Sequence, residues 1–485
     1  LVLTELQYNK IFGYNGNKFT ICGYTRDTIL HMAEYPERYG KKILDLSDYI
    51  YLKSGYYKRL IDYFVNQSMV NYTVDTRVLK PQAFTHKKDR FKEDYIKFSA
   101  QSEKYRLKNE IHNILRRMYR NDICYAFVTE TPYDISYYYL DPTICGISSL
   151  VNGNVYEFYI NVGLMSGKML SSFPIELQNI ILSEWEKQKQ SKENIKLNQI
   201  GKVKIPWENS LCIKYNNDFL FPYPPFFTMI LDILLIDEYK ELAKAQSIND
   251  AYKILTMKIP TKEGEVTMDD KLITVFTDIV LNTVQNNIGV VTTPFDMKTE
   301  EFSSNNSDNR DTVSDSISWA FKNVGVSEAL MSGASSGSEL KLSVLNDSGD
   351  IFRIYRMLEN WISLQMKLRN YIYSNYEFVY KILNMTIFNS DEVKKMELQM
   401  AQNGLPNKSR LCAANGLSPA TMLGNSIVEN NLLNDIFDTW QPLKTSYTAS
   451  GDSEGAGRPT VDEVDLTASG EITRENNTND KDNRI

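Results

Sequence analysis

The chain has 485 residues, 42% of them hydrophobic, so it can form two or more packed units around a sizeable core. Its formal net charge of −7 argues against a protein that grips nucleic acid over a broad surface, although not against one that lets nucleic acid slide past. Five scattered cysteines without a CxxC pair fit a reducing compartment and exclude a disulfide framework, and three distant histidines offer no metal-ligand spacing. The 31 tyrosines suit half-buried, half-wet contacts such as subunit interfaces, although a compositional bias that also raises Asn, Ile and Lys would enrich them too. The sequence reads as lacking a secretory signal. The longest apolar run, 226–236, contains Asp232 and is far shorter than the about 20 residues that a membrane span needs.

In chain order, 1–44 reads as irregular. The stretch 45–66 predicts one helix with Tyr49, Leu52, Tyr56, Leu60 and Tyr63 on a common face. The stretch 84–98 is charged and mixed. A second helix is predicted over 102–120; its basic run of Arg106, Lys108, Arg116, Arg117 and Arg120 reads first as a solvated face and second as a nucleic-acid contact. Alternation at Ile123, Tyr125 and Phe127, and again at Val155, Glu157 and Tyr159, predicts a β region of three or four strands. Asn152-Gly153 is its hairpin turn. Helix returns at 173–188.

After the Pro-aromatic hinge 221–225, a helix of about 30 Å is predicted over 226–246. A small unit follows over 261–304, with a turn at Glu263-Gly264, a helix starting near Asp269 and Asp270, and a β run at 288–292. Residues 312–324 predict helix. The stretch 325–338 is small and uncharged and reads as a pliant loop. A long amphipathic helix then carries Ile351, Ile354, Tyr355, Leu358, Trp361, Ile362 and Leu368, with Asp347, Ser348 and Asp350 as its start. A strand is expected over 376–388. Three short capped helices follow: one from Ser390 to Gln402, one ending at Asn415-Gly416, and one opened by Ser418-Pro419. From about Leu443 the chain is polar and acidic with few large apolar residues, the composition of a flexible or interacting arm.

Reactive constellations are scarce. Gly163 to Lys168 falls one residue short of a phosphate-binding loop, and Met169 stands where a magnesium-binding hydroxyl belongs. Gly333 to Gly337 matches GxSxG with Ser335 at the nucleophile position, but no strand precedes it and no histidine follows it in the chain. The pairs Asp269-Asp270 and Glu300-Glu301 read as exposed helix starts. The expectation is a protein that is not an enzyme and has no catalytic, metal or cofactor residues.

The order of these blocks resembles the portal proteins, or head-tail connectors, of tailed bacteriophages. The strings that carry the resemblance are PPFFTMILDILLIDEYKELAKAQSINDAYKILTMKIP (224–260), FKNVGVSEALMSGASSGSELKLSVLNDSGDIFRIYRMLENWI (321–362), MTIFNSDEVKKMELQMAQNGLPNKSRLCAANGLSPATML (385–423) and LDPTICGI (140–147). The resemblance covers roughly 45–435 and rests on a matched order of patterned blocks, not on an invariant signature. It implies an α+β, mainly helical fold: a wing region over 1–220, a stem helix over 221–257, a clip over 258–305, a return stem helix over 306–324, a tunnel loop over 325–340, a long kinked helix and wing strand over 341–389, crown helices over 390–442, and a flexible tail over 443–485.

The function so implied is a ring, usually of twelve subunits, at a capsid vertex of the virion. It is assembled in the host cytoplasm and conducts double-stranded DNA during packaging and ejection. The implied partners are other copies of the chain, the terminase large subunit, the head-tail adaptor, and the major capsid and scaffolding proteins, with no membrane and no cofactor. By the same resemblance, Met331, Ser332, Gly333, Ala334, Ser335, Ser336, Gly337 and Ser338 project into the channel. Lys322 and Lys341, and more weakly Lys258 and Lys262, meet DNA phosphates, and Asp269 and Asp270 face the motor. The alternative is another virion structural protein of the tail or baseplate.

Overall fold

The computed structural model describes residues 20–80, 88–165, 170–191, 201–251, 253–258, 261–262, 265–266, 269–283, 288–293, 312–326 and 337–432. The chain divides into two units, 1–422 and 423–485. The described part of the second is the end of a helix and a π-helical turn at Val428–Leu432. The fold is α+β and mainly helical, as expected.

A tight hairpin, β1 (Thr20–Ile21) and β2 (Tyr24–Thr25), opens the first unit. Its two turn residues, Cys22 and Gly23, both have positive φ, the geometry that a two-residue hairpin demands. Three helices follow: α1 (Arg26–Glu34), α2 (Pro36–Lys53) and α3 (Gly55–Asn66). The single helix expected over 45–66 is therefore two, and the described part of the expected irregular start, 20–44, is largely helical. Ser54 makes the break: it leaves α2 extended, and its side chain accepts from Tyr57 N at 3.4 Å to cap α3. The break also resets the buried face. Leu52, expected inside, is 79% exposed, whereas Ile43, Leu46 and Ile50, then Tyr57, Leu60, Ile61 and Phe64, enter the core.

The next helical stretch is also divided. Residues Lys88–Lys104 form α4, where a mixed segment was expected, and Leu107–Asn121 form α5. Arg106 lies between them in the left-handed region (φ 46) and swings the two axes apart, so the helix predicted over 102–120 starts five residues late.

The β region expected over 122–162 holds four strands, within the three or four expected: β4 (Ile123–Glu130), β5 (Ile135–Tyr139), β6 (Cys145–Asn152) and β7 (Val155–Asn161); two later strands that were not expected, β8 (Lys202–Lys204) and β9 (Ser210–Lys214), join the same sheet. They pair antiparallel in the order β5-β4-β9-β7-β6, with β8 on β7. Strand period 2 sends Cys124, Ala126 and Val128 into the main core and Ile123, Tyr125 and Phe127 into a second cluster. Helix α6 (Ile175–Ser191) supplies Leu177 and Ile181 to that second cluster. The sheet is thus covered on both faces.

Two long helices organise the remainder. After α7 (Met229–Ala251) comes a small insert: β10 (Lys253–Lys258), the hairpin β11 (Thr261–Lys262) with β12 (Glu265–Val266), α8 (Asp270–Thr283) and β13 (Ile288–Thr293). Strand β13 lies parallel to β10, in register from Lys253↔Ile288 to Lys258↔Thr293, so the insert contains a crossover unit with α8 as its helix. Then come α9 (Thr312–Asn323) and α10 (Gly337–Leu368).

Helix α10 differs from expectation at its start. It begins at Gly337, so Asp347, Ser348 and Asp350 sit inside it and do not cap it. Their side chains are spent elsewhere: Ser348 Oγ donates to Val344 O at 2.8 Å, Asp347 accepts from Tyr63 OH at 2.8 Å and Asp350 from Tyr215 OH at 2.9 Å. The apolar stripe itself is as expected. Ile351, Ile354, Tyr355, Leu358, Trp361 and Ile362 are buried, with Leu368 partly covered.

The chain then returns through β14 (Tyr376–Ile382), antiparallel to β3 (Tyr72–Val78), a partner some three hundred residues earlier. Tyr72 and Tyr380 stack across the pair, 4.4 Å between ring centroids. The last helices are α11 (Ser390–Gln402), α12 (Lys408–Ala414) and α13 (Pro419–Ile427). Ser390 does not cap α11. Asn389 occupies that position, and its Oδ1 accepts from Thr386 N at 2.6 Å. Ser418 does cap α13, accepting from Thr421 N at 3.2 Å, and Gly404 and Gly416 end the two preceding helices at positive φ.

Candidate functional site

The antiparallel pair α7/α9 and the helix α10 that follows it are the elements on which the expected function depends. Asn323, at the end of α9, reaches Asp232, in the first turn of α7, at 3.4 Å, so one helix starts where the other stops. The insert therefore hangs from the far end of the pair. The near half of α7 is mostly apolar apart from Asp232: Met229, Ile230, Ile233, Leu234 and Ile236 are buried. On α9, Ala320 and Phe321 pack inward while Trp319 is 63% exposed.

A buried ion pair ties this pair to the sheet. Asp122 ends α5 in the left-handed region (φ 67), which short polar side chains tolerate best. Its carboxylate lies 2.5 Å from Lys214 Nζ at the end of β9, and both side chains are fully buried. The same carboxylate accepts from Asn216 N at 2.8 Å and from Tyr223 N at 2.9 Å. Burial pushes the Asp122 carboxyl up, and Lys214 with the two N–H groups works against that. One carboxylate thus fixes a helix end, a strand end and the chain entering α7.

Beside this joint is a cavity of about 780 Å³ where the end of α9, the entry to α7 and the middle of α10 converge. Asp218, Asp347, Asp350 and Arg353 line it, and Arg353 lies 4.2 Å over the Tyr215 ring. Burial raises the Asp347 carboxyl, and the Tyr63 hydrogen bond opposes the rise. Gly349 stands on the cavity wall inside α10, where an added Cβ would meet nothing within 4 Å.

The basic run on α5 is consumed within the fold. Arg106 pairs with Asp134 at 2.7 Å, Arg116 with Asp62 at 3.8 Å and Arg120 with Asp48 at 2.7 Å. Lys108 donates to Gly416 O at 2.8 Å, and Arg117 lies 3.9 Å over the Tyr139 ring. The solvated-face reading needs this amendment: the charges hold neighbouring elements.

The expected site residues fall in several places. Residues 331–336 of the expected loop lie outside the described residues, and Gly337 and Ser338 belong to the first turn of α10. Ser335, the GxSxG serine, is among the former. Lys322 is exposed at the end of α9. Lys341 is ion-paired with Glu392 of α11. Lys258 and Lys262 fall in β10 and β11, Asp270 opens α8, and exposed Asp269 precedes it, accepting from Leu272 N at 2.9 Å through its backbone carbonyl. Glu263-Gly264 lies outside the described residues. The structure thus places Lys322 and Lys341 on the two helices that flank 327–336, and Lys258, Lys262, Asp269 and Asp270 on the insert.

Among the described residues no group of three or more His, Cys, Asp or Glu could hold a metal ion, and no helix is long and apolar enough to cross a membrane. Burial pushes the Cys124 thiol up to about 12 and raises Cys145 and Cys212 well above their ordinary value; such thiols are poor nucleophiles. Sequence reasoning missed outward-facing Trp319 and the Asp122–Lys214 joint. Nothing local marks either one, because a tryptophan in an amphipathic helix reads as core and the pair is brought together only by the fold.

One ion-pair cluster has a testable pH signature. Glu130 accepts from Arg369 Nε at 2.5 Å and Gln101 Nε2 at 2.9 Å and lies 3.4 Å from Lys104 Nζ. Burial alone would raise its carboxyl; the Arg369 and Gln101 hydrogen bonds and the two cations outweigh burial and hold it below its ordinary value. A depressed carboxyl contributes stability above its unfolded pKa and loses it as pH falls through the folded one. Glu130→Gln therefore costs about 1 kcal/mol at pH 7 after solvent screening, and the difference from wild type is lost as pH falls through the carboxyl's lowered pKa. Urea midpoints of both proteins across pH 3–7 check this.

No family model matches the chain, and no curated protein sequence matches it. Among solved structures, it is similar to a chain in the neck of an empty gene transfer agent particle, at 10% identity over 75% of this chain and 94% of that one, with a TM-score of 0.39. It is also similar to a chain in the virion of a native gene transfer agent particle, at 10% identity over 74% and 89%, with a TM-score of 0.37. Both scores are too low to establish a shared fold.

Proposed function

We propose that this chain is a subunit of a ring-shaped portal through which double-stranded DNA passes, and that it performs no chemistry itself. The observation that carries the reading is the antiparallel pair α7/α9, which bears a small α/β insert at its far end and continues through 327–336 into α10. In this reading the pair is the stem, the insert is the clip that meets the packaging motor, and 327–336 faces the channel.

Charge supports the same reading. DNA carries one phosphate per about 1.7 Å of axis, so a wholly basic wall would hold it too tightly to slide. A subunit of net charge −7 repels the duplex, and a few lysines flanking 327–336, Lys322 and the Glu392-paired Lys341, steady it. The side chains of 332–336 (Ser, Gly, Ala, Ser, Ser) are too short to read base edges.

Negative-stain images of the purified protein test the proposal: rings with a central hole are expected. Particles without a hole would instead favour a tail or baseplate component. A second test addresses the channel. Deleting 332–336, which spares α10, is expected to leave rings intact and abolish DNA packaging; normal packaging by that variant would remove 327–336 from the channel. Esterase activity lost on Ser335→Ala would overturn the non-enzymatic reading.

A further inference from the structure

A groove on the first unit, lined by no residue of α7 or α9, has chemistry that a conduit does not use. It lies between α3 and the turn before α11, encloses about 530 Å³, and is lined by Lys58, Arg59, Asp62, Gln67, Ile387 and Phe388, among others. Ile387 and Phe388 are 52% and 49% exposed at its edge. Adjacent large apolar side chains left in water mark a contact surface.

Its floor holds the second observation. Gln67 is 1% exposed, yet neither its Oε1 nor its Nε2 has a hydrogen-bond partner. Its amide lies beside the Tyr63 hydroxyl, which donates to Asp347. A buried polar group left unsatisfied costs free energy and calls for a partner. An amide offers an acceptor and donors together, which matches a peptide backbone. A phosphate offers acceptors only and would leave Oε1 facing another oxygen.

The rim selects the charge of the peptide. Asp62 is engaged by Arg116 and Tyr51, whereas exposed Lys58 and Arg59 form no ion pair among the described residues. The open charge is therefore positive. The chain itself carries a complementary segment, Val461-Asp462-Glu463-Val464-Asp465-Leu466, outside the described residues. If extended, it sets Val464 and Leu466 on one side and Glu463 and Asp465 on the other. About thirty residues separate it from Leu432, a tether of up to about 100 Å.

We propose that this groove receives residues 461–466 of a second copy of the chain. Val464 and Leu466 cover Ile387 and Phe388, Glu463 and Asp465 meet Lys58 and Arg59, and the backbone satisfies Gln67. Copies of net charge −7 repel one another; a contact between copies offsets that repulsion, and one within a copy does not. The inference shares with the ring reading only the premise that copies associate, not the passage of DNA.

The test uses the full chain with p-benzoylphenylalanine in place of Phe388, assembled from equal parts of isotopically light and heavy protein. After irradiation, mass spectrometry is expected to find cross-links from position 388 to 461–466 that join light to heavy chains. Lys58→Glu with Arg59→Glu should cut their yield at least about tenfold, as a loss of about 1.4 kcal/mol does, and Glu463→Lys with Asp465→Lys should restore it. Cross-links confined to one copy, cross-links to another segment, or none in assembled protein overturn the proposal. Rings that lack these cross-links sink this inference alone, and a strictly monomeric protein sinks the ring reading with it.

Discussion

Replacing Lys214 by Met lowers the stability of the first unit by about 3–5 kcal/mol, because it strands the Asp122 carboxylate in the interior. The methylene stem is kept, so the loss is electrostatic and not steric. Asp122 retains its bonds from Asn216 N and Tyr223 N, but these do not replace a cation 2.5 Å away. The deficit depends on pH in a definite sense. Burial raises the Asp122 carboxyl, and without Lys214 nothing charged opposes the rise. A raised carboxyl is favourable below its unfolded pKa and loses that advantage as pH climbs to the folded value, so the deficit is larger at pH 8 than at pH 4. Asp122→Asn on the Lys214→Met background should recover most of the loss, since Asn also tolerates the left-handed backbone at φ 67. Urea midpoints of the two variants check this; an unchanged midpoint for Lys214→Met would mean that the pair does not hold the joint.

Trp361→Ala is the second large effect, at about 3–5 kcal/mol. The indole is 1% exposed, meets the Tyr105 ring edge-on at 5.6 Å, and donates from Nε1 to Ser210 O at 2.9 Å. Truncation leaves a cavity between α10 and the sheet and an unpaired carbonyl on a buried strand. Trp361→Phe separates these losses: it refills most of the volume and forfeits the hydrogen bond, a cost of about 1–3 kcal/mol. Equal destabilisation by the two variants would show that the bond, not the packing, fixes α10 on the sheet.

Periodic elements were legible in the sequence, and fine punctuation was not. The stripe from Ile351 to Ile362 announced α10, because a buried face repeats at 3.6 residues whatever covers it. Its start was misplaced. Asp347, Ser348 and Asp350 have the right chemistry for a cap, but Tyr63 and Tyr215, distant in sequence, recruit the two carboxylates inside the helix. Gly337 and Ser338 look too pliant for helix, and the segment that follows carries them in its first turn. Ser54 shows the opposite failure: a single residue with cap chemistry divides a stretch whose apolar spacing reads as continuous. Strand β9 was invisible because all five of its residues are buried, so no alternation marks it. The candidate site was legible only as an order of elements. Lys322, Lys341 and the insert residues could be named from that order, whereas the Gln67 groove comes from residues more than three hundred positions apart.

The pairing of β3 with β14 bears on how the protein is made. Tyr72 meets Ile382 and Val78 meets Tyr376, so the first third of the polypeptide cannot complete its sheet until the ribosome has delivered the last. Loop closure across such a distance is slow, and the unpaired edge of β3 waits exposed in the meantime. Premature termination anywhere before about residue 382 therefore yields chains that aggregate or are degraded. Synthesis thereby screens out incomplete chains before they can accumulate.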